Sequence, residues 1–221
     1  MRLTQTEENY IKEIFKLSEK IEGYIATNAI ADAKETTAAS VTDMVKKLAQ
    51  KGFVKYIRYK GSQLTESGNE VAKALIRKHR LWEVFLVKQL NFNWDEVHEI
   101  AEQLEHIQSE ALTERLDAYL DFPKLDPHGD PIPDAKGNIT YIPAINLTEL
   151  NAGQTAVIVG VNDHSNPFLH YLDKLEIALG VRVQVLEIYS FDSSRHIIIN
   201  DAKEMVISKQ IAQNLQVKPS K

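Results

Sequence analysis

The stretch Thr37–Thr65, TAASVTDMVKKLAQKGFVKYIRYKGSQLT, divides at one glycine. Before Gly52, the apolar residues Val41, Val45 and Leu48 recur at steps of four and three, which lines one face of a helix. The polar turn Glu35-Thr36-Thr37 precedes it, so a helix is expected over 38–51, with Gly52 as its stop. After the glycine, Phe53, Lys55, Ile57 and Tyr59 alternate with Val54, Tyr56 and Arg58, and Lys60-Gly61-Ser62 supplies a turn. That pattern predicts a short basic hairpin. Upstream, Thr4-x-x-Glu7 forms a capping box ahead of the stripe Tyr10, Ile11, Ile14, Phe15 and Leu17, a helix running to about Glu19. Gly23 breaks it, and Thr27 can cap a second, short helix over 28–34.

Three helices and a hairpin, in that order, make a winged helix-turn-helix, whose third helix enters the major groove while the hairpin meets backbone. The outward face of the third helix carries Thr37, Ser40, Thr42, Asp43, Lys46 and Lys47, small hydroxyls and cations that can approach bases and phosphates. Asp43 repels phosphate but can accept from a cytosine amino group. Arg58, Tyr59 and Lys60 fall on the wing, where cations meet phosphates. The competing reading is a small α/β subdomain whose lysines solvate a surface. Charge separates along the chain: residues 1–80 hold 15 Lys/Arg against 10 Asp/Glu, and residues 81–221 hold 11 against 21. A basic module on an acidic remainder suits double-stranded DNA as partner for the first part alone.

At 221 residues and 43% hydrophobic content the chain can bury a substantial core. No run reaches the ~18 apolar residues of a membrane span. The polar, acidic start reads as a helix rather than a signal peptide. The absence of cysteine rules out disulfides and thiolate metal sites and fits a cytoplasmic location. Ser67-x-x-Glu70 is expected to cap a long helix over 69–90, Asn93-x-x-Glu96 another over 94–109, and helix resumes over 111–120. Residues 122–143, rich in Pro, Gly and Asp, read as a linker. Beyond it TAVIVGV, VRVQVLEIY and HIIIN read as strands, with a short helix near 167–177 and the size of a small barrel. The expected class is mainly α with a small β part. The expected domains are a winged helix-turn-helix over 1–64, a helical domain with its linker over 65–143, and a β-barrel over 144–221.

The helix VHEIAEQLEHI, Val97–Ile107, places His98, Glu102, Glu105 and His106 on one face. The preceding helix offers His79 and Glu83 one turn apart, and two packed helices would let the polar stripes converge. Carboxylate with imidazole and no sulfur suits Mn²⁺ or Fe²⁺, with other divalent metals binding by the general affinity order. The bland alternative is a solvated acidic face with i, i+4 His–Glu pairs. A di-metal hydrolase would use the same residue types. The chain has no GxSxG, P-loop or HExxH motif, and a basic helix-turn-helix beside the stripe favours a regulator over an enzyme.

The segments TEENYIKEIFKL, RKHRLWEVFL, VHEIAEQLEHIQSEALTERL and DPHGDPIP, in that order, closely resemble the metal-dependent repressors of the DtxR/MntR family. The resemblance covers most of the chain, and the last 70 or so residues are similar to the SH3-like, FeoA-type domain of longer members. It implies a homodimeric repressor, activated by metal, that binds palindromic operator DNA and controls metal-uptake genes, without an organic cofactor or a membrane partner. It implies a primary metal site of Asn9, Glu102, Glu105 and His106, with Asn9 standing where other members have Met or Asp. Manganese-responsive members carry Glu at position 102 and iron-responsive members Cys, so Glu102 favours Mn²⁺, with Fe²⁺ next. Lys12 stands where some manganese sensors have an acid. A second site is implied in one of two versions: His79, Glu83 and His98, or Glu83 with Asp126, His128 and Asp163, beside which His164 is an added candidate. The apolar stripe Leu81, Trp82, Phe85, Leu86 and Leu90 serves either as internal core or as dimer seam. A metal-binding or ferrous-transport accessory protein is the reading without DNA.

Overall fold

The computed structural model describes residues 3–220, mostly helical with a small β part. The described residues divide into two compact units, one built from 3–79, 103–114 and 133–138 and the other from 80–102, 115–132 and 139–220.

The first unit begins with α1 (Gln5–Ser18), capped by the reciprocal Thr4–Glu7 box. Helices α2 (Thr27–Ala33) and α3 (Ala38–Gln50) follow, then the hairpin β1 (Val54–Ile57) and β2 (Gly61–Leu64). The core is Ile11, Ile14, Ile30, Val41, Val45 and Leu48, each fully buried, so the periodic stripes of α1 and α3 face inward as their spacing requires. Thr37 caps α3 by accepting from the Ser40 N–H at 3.2 Å. Thr27 does not cap α2; it is that helix's first residue, and Ala26 precedes it without a side-chain cap. Antiparallel pairing puts Val54 opposite Leu64 and Ile57 opposite Gly61. Ser62 also pairs with Ile25, exchanging both backbone hydrogen bonds at 2.7 and 2.9 Å, which roots the wing in the segment between α1 and α2. Gly61 permits this. Its φ is +117°, and a Cβ there would lie 2.2 Å from the Ile25 carbonyl oxygen.

Glu7 ties α1 to α3. Its carboxylate is fully buried, with Lys51 Nζ at 2.7 Å and Lys47 Nζ at 3.1 Å. Burial pushes the Glu7 carboxyl up, but Lys51, the Thr4 N–H and Lys47 outweigh it and hold it at about 2.

Helix α4 (Glu66–Leu90) starts three residues earlier than its sequence suggests. Thr65 is the cap, accepting from the Gly68 N–H at 3.1 Å, and the Ser67-x-x-Glu70 pattern lies inside the helix. Helix α5 (Val97–Leu104) is shorter at both ends than the expected 94–109. The Asn93–Glu96 pairing does form, Asn93 N–H to Glu96 Oε2 at 2.9 Å, but residues 94–96 form a turn. At the other end Glu105 and His106 lie in a turn beyond the helix, closed by the Ile107 N–H to the Leu104 carbonyl at 3.1 Å. The four residues expected on one helical face therefore divide, two on α5 and two past its end. Helix α6 (Glu110–Tyr119) follows.

In the second unit, Leu81 and Val84 of α4 pack with Leu116, Leu120 and Ile132, while Leu86 packs with Val97 and Ala101 of α5. Leu81 and Leu86 are thus spent in the chain's own core, the internal alternative for those two members of the stripe. Trp82 and Phe85 are partly buried and Leu90 is 52% exposed, beside exposed Tyr119 and Phe122. The strands are β3 (Ile145–Asn146), β4 (Thr155–Val161), β5 (Arg182–Ile188), β6 (Arg195–Ile199), β7 (Lys203–Ile207) and β8 (Leu215–Pro219). They form one antiparallel sheet in the order β3-β8-β4-β5-β6-β7, with β3 and β7 at its edges and no closing ladder between them. Helices α7 (Asn166–Leu175) and α8 (Lys209–Gln213) accompany it, and Leu169 and Leu172 of α7 complete a core with Ile158, Val183, Ile197 and Leu215. The 122–143 segment has no helix or strand; one bridge pairs Leu125 with Pro131. No helix among the described residues is long and apolar enough to cross a membrane.

Two outcomes test the first unit. Gly61→Ala is expected to cost roughly 2–5 kcal/mol, from backbone strain plus the clash with Ile25, as read by chemical denaturation. The depressed Glu7 carboxyl contributes stability that is complete above the free carboxyl's ordinary value and is lost as pH falls toward about 2. Glu7→Gln should flatten the acid limb of the melting-temperature profile between those values; an unaltered limb would show that Glu7 does not carry it.

Candidate metal centre

Two polar clusters occupy positions that an apolar core would normally fill, one in each unit. In the first, Glu105 is fully buried. Its Oε1 accepts from Lys12 Nζ of α1 at 2.5 Å, and its Oε2 from His79 Nδ1 of α4 at 2.6 Å. His106 donates from Nδ1 to Glu8 Oε2 at 2.6 Å, and Gln108 Nε2 holds the other Glu8 oxygen at 2.8 Å. With a carboxylate on Nδ1, the second ring nitrogen keeps its lone pair, and that Nε2 lies 3.8 Å from Glu105 Oε1. These contacts also account for the early end of α5. Leaving the helical path lets Glu105 and His106 reach α1, and a buried carboxylate must find cations or donors.

The neighbouring Asn9 has a buried Oδ1 with no hydrogen-bond partner. A buried amide oxygen left open is unusual and is the kind of atom a cation satisfies. Lys78, half-buried on α4, has its ammonium lowered by burial, with Glu8 and Glu105 working in the opposite direction.

In the second cluster Glu83, Asp126 and His128 are all buried and offer ligand atoms within 4.8 Å of one another. His128 donates from Nε2 to the Trp94 carbonyl at 2.9 Å. Its Nδ1 has no hydrogen-bond partner and sits 3.6 Å from Glu83 Oε2, beyond hydrogen-bond range. Asp126 shapes the loop, its Oδ1 accepting from the N–H groups of His128 and Asp130 at 2.8 and 2.9 Å. Its Oδ2 lies 3.5 Å from Arg80 Nε. Burial, then the charges of Glu83 and Asp130, raise the Asp126 carboxyl to about 7 despite Arg80 and His128. Burial lowers His128, but Glu83, Asp126 and the Trp94 carbonyl prevail and hold it at about 9. Carboxyl and imidazole in this cluster are thus both shifted toward their protonated forms.

His98 reaches Glu83 Oε1 at 3.4 Å, and Glu102 is half-buried on α5. Asp163 accepts from the Ser165 N–H at 2.9 Å, forming a turn ahead of α7. Its neighbour His164 instead stacks on His128, ring centroids 4.8 Å apart, and burial lowers the His164 imidazole. Sequence spacing missed Glu8, Gln108 and Arg80. Glu8 adjoins Asn9, and its pairing with a histidine 98 positions away leaves no periodic signal.

On the reading head, Thr37, Ser40, Asp43, Lys46, Arg58 and Lys60 are exposed and Thr42 is half-exposed. The hydroxyls already have partners: Thr37 Oγ1 meets Ser40 Oγ at 2.9 Å and Thr42 Oγ1 donates to the Ala38 carbonyl at 2.8 Å. At the wing tip Arg58 lies over the Tyr59 ring at 4.8 Å, and Lys60 lies over Tyr24 at 4.6 Å.

Comparison with known proteins agrees with this arrangement. The iron dependent repressor N-terminal DNA binding domain matches residues 2–62, the iron dependent repressor metal binding and dimerisation domain residues 65–134, and the FeoA domain residues 145–219. The chain is 33% identical over 165 residues to the iron-dependent repressor IdeR of Mycobacterium tuberculosis, covering 71% of each chain. It is 27% identical over 228 residues to the diphtheria toxin repressor of Corynebacterium diphtheriae, covering 97% of each. A solved manganese-dependent transcriptional repressor in complex with manganese superposes with a TM-score of 0.86 at 34% identity, over 97% of this chain and 100% of that one. A DNA-binding head, a buried Glu/His centre and a FeoA sheet in one chain carry the same conclusion: the protein belongs to the iron-dependent repressor family of metal-dependent transcriptional regulators.

Proposed function

We propose that the chain is a homodimeric repressor, activated by Mn²⁺ and next by Fe²⁺, that binds palindromic operator DNA and controls metal-uptake genes. It acts in the cytoplasm, where its DNA is, and without catalysis. Residues 1–64 read DNA, 65–143 hold metal and the dimer, and 144–221 form the FeoA-type domain. The observation that carries the reading is the buried Glu105–His106 turn held against α1, beside the open Asn9 oxygen.

Asn9, Glu102, Glu105 and His106 form the primary centre in this reading. Glu83, Asp126 and His128 form the second, the version supported by their shared burial and the open His128 Nδ1. A divalent cation would supply the charge that lets clustered carboxylates stay close. The chain's own residues do the rest. Glu8 holds the His106 ring so that Nε2 faces Glu105. Glu7, the next residue on α1, grips Lys47 and Lys51 at the end of α3. Ligand segment, α1 and reading helix are thereby joined by side-chain contacts. A ligand that favours one position of α1 shifts the population of reading heads, since it acts only through its differential affinity for the states. Two heads held at half-site spacing lose less entropy on binding. Trp82, Phe85, Leu90, Tyr119 and Phe122 offer the apolar surface for the second copy.

Fluorescence anisotropy on the protein's own promoter DNA, with anaerobic Mn²⁺ or Fe²⁺ against a chelated control, tests the reading. Saturable binding is expected with metal alone, and Glu105→Ala should abolish it while leaving a folded dimer; metal-independent binding would remove the switch. Lys60→Ala should reduce the salt slope by about one, and an unchanged slope would take Lys60 off the phosphate. Glu8→Gln is expected to weaken metal binding roughly 10–100-fold, because it releases the imidazole without removing a ligand. Calorimetry showing wild-type affinity would refute that role.

A further inference from the structure

Lys12 lies three residues beyond Asn9 on α1, and is 4% exposed. An ammonium so deeply buried persists as a cation only beside a compensating charge. Glu105 Oε1, at 2.5 Å, provides it. The same oxygen is the one 3.8 Å from His106 Nε2, the nitrogen whose lone pair Glu8 leaves open. The lysine therefore occupies the same carboxylate oxygen that His106 Nε2 approaches.

We infer that Lys12 is a tethered counter-cation of the primary centre. Its ammonium neutralises Glu105 when no metal is present, and it competes with an incoming divalent ion for that carboxylate. It sets the metal concentration at which the protein responds. This rests on the metal-centre reading above. Two positive groups cannot both approach one oxygen closely without repulsion, so binding an ion requires the ammonium to retreat along its flexible four-carbon stem. Glu8, on the same helix and paired with His106, is the nearby acid that stays in place as it does so. An uncharged side chain at position 12 removes the competitor and leaves Glu105, of the two partners Lys12 and His79, with His79 alone, so an incoming metal meets a less compensated carboxylate.

The test is direct Mn²⁺ binding by calorimetry on the full chain, for wild type, Lys12→Met, Lys12→Arg and Glu105→Ala, with melting temperatures in chelator and in Mn²⁺. Lys12→Met is expected to bind at least ten-fold more tightly, to melt lower in chelator, and to gain more than wild type on adding Mn²⁺. Lys12→Arg should stay near wild type. Equal or weaker binding by Lys12→Met overturns the inference and makes the lysine a structural ion pair. Where Lys12→Met folds only with metal, its rate of Mn²⁺ loss to excess chelator is read instead; slower loss than wild type supports competition, and equal or faster loss overturns it. Wild-type binding that is insensitive to Glu105→Ala removes the metal-centre reading itself. Glu105-dependent binding with no tightening in Lys12→Met removes only the role of Lys12.

Discussion

A fully buried carboxylate sets the terms for the first unit. Glu105 cannot remain charged in an apolar core unless cations and donors are brought to it, and those come from α1 and α4 as Lys12 and His79. Meeting that requirement draws the chain off the helical path after Leu104, and the same departure carries His106 to Glu8. Because Glu7 on α1 is in turn gripped by Lys47 of α3 and by Lys51 just past its end, the polar contacts continue to α3. Arrangements of this kind are sensitive: fully satisfied they rigidify, and partly satisfied they destabilise.

The second cluster solves the same problem differently. Glu83, Asp126 and His128 lie buried close together, with Arg80 at the margin, 3.5 Å from Asp126. Burial and neighbouring carboxylates displace the Asp126 carboxyl upward, and Glu83 and Asp126 outweigh burial to do the same for the His128 imidazole. The cluster is also a joint within its unit. His128 stacks between Trp94 and His164, and its carbonyl accepts from the Val161 N–H of β4 at 3.0 Å. A buried polar cluster and attachment of the sheet therefore meet at one residue.

The parts of this fold that were legible in sequence are those governed by near neighbours. Val41, Val45 and Leu48 announce α3 and Gly52 its end, and the alternation after it announces the wing, because each is a matter of local geometry. The wing's turn falls at 58–60 rather than at the expected Lys60-Gly61-Ser62, whose last two residues already belong to β2. The end of α5 was not legible. QLEHI contains nothing that terminates a helix, and the force that ends it acts from residues nearly a hundred positions away. Helix α4 starts at Glu66, behind Thr65 rather than the expected Ser67, because a capping hydroxyl is decided by where the backbone turns. Strand β8 was not among the expected strands, yet it lies between β3 and β4. Of the candidate metal-site residues, His98, Glu102, Glu105 and His106 were visible as one stripe by spacing, although the last two lie past the end of α5. Glu8, Gln108 and Arg80 were invisible because their meaning is entirely tertiary.

The proline- and glycine-rich segment after α6 looks uniform in composition but is not uniform in what it tolerates. At Gly129 φ is +92°, and a Cβ would stand 2.2 Å from the Val159 carbonyl oxygen of β4. At Gly137 φ is also positive, but the nearest atom to a Cβ is the Lys73 stem at 3.5 Å, and residues 134–136 are exposed. One glycine is a weld and the other a free bend eight residues away. Protease nicks, inserted tags and length variation belong at the second and are excluded at the first. A boundary drawn through this segment to separate the domains for expression should accordingly fall after Ile132, leaving the DPHGDP turn with the sheet on which it is seated.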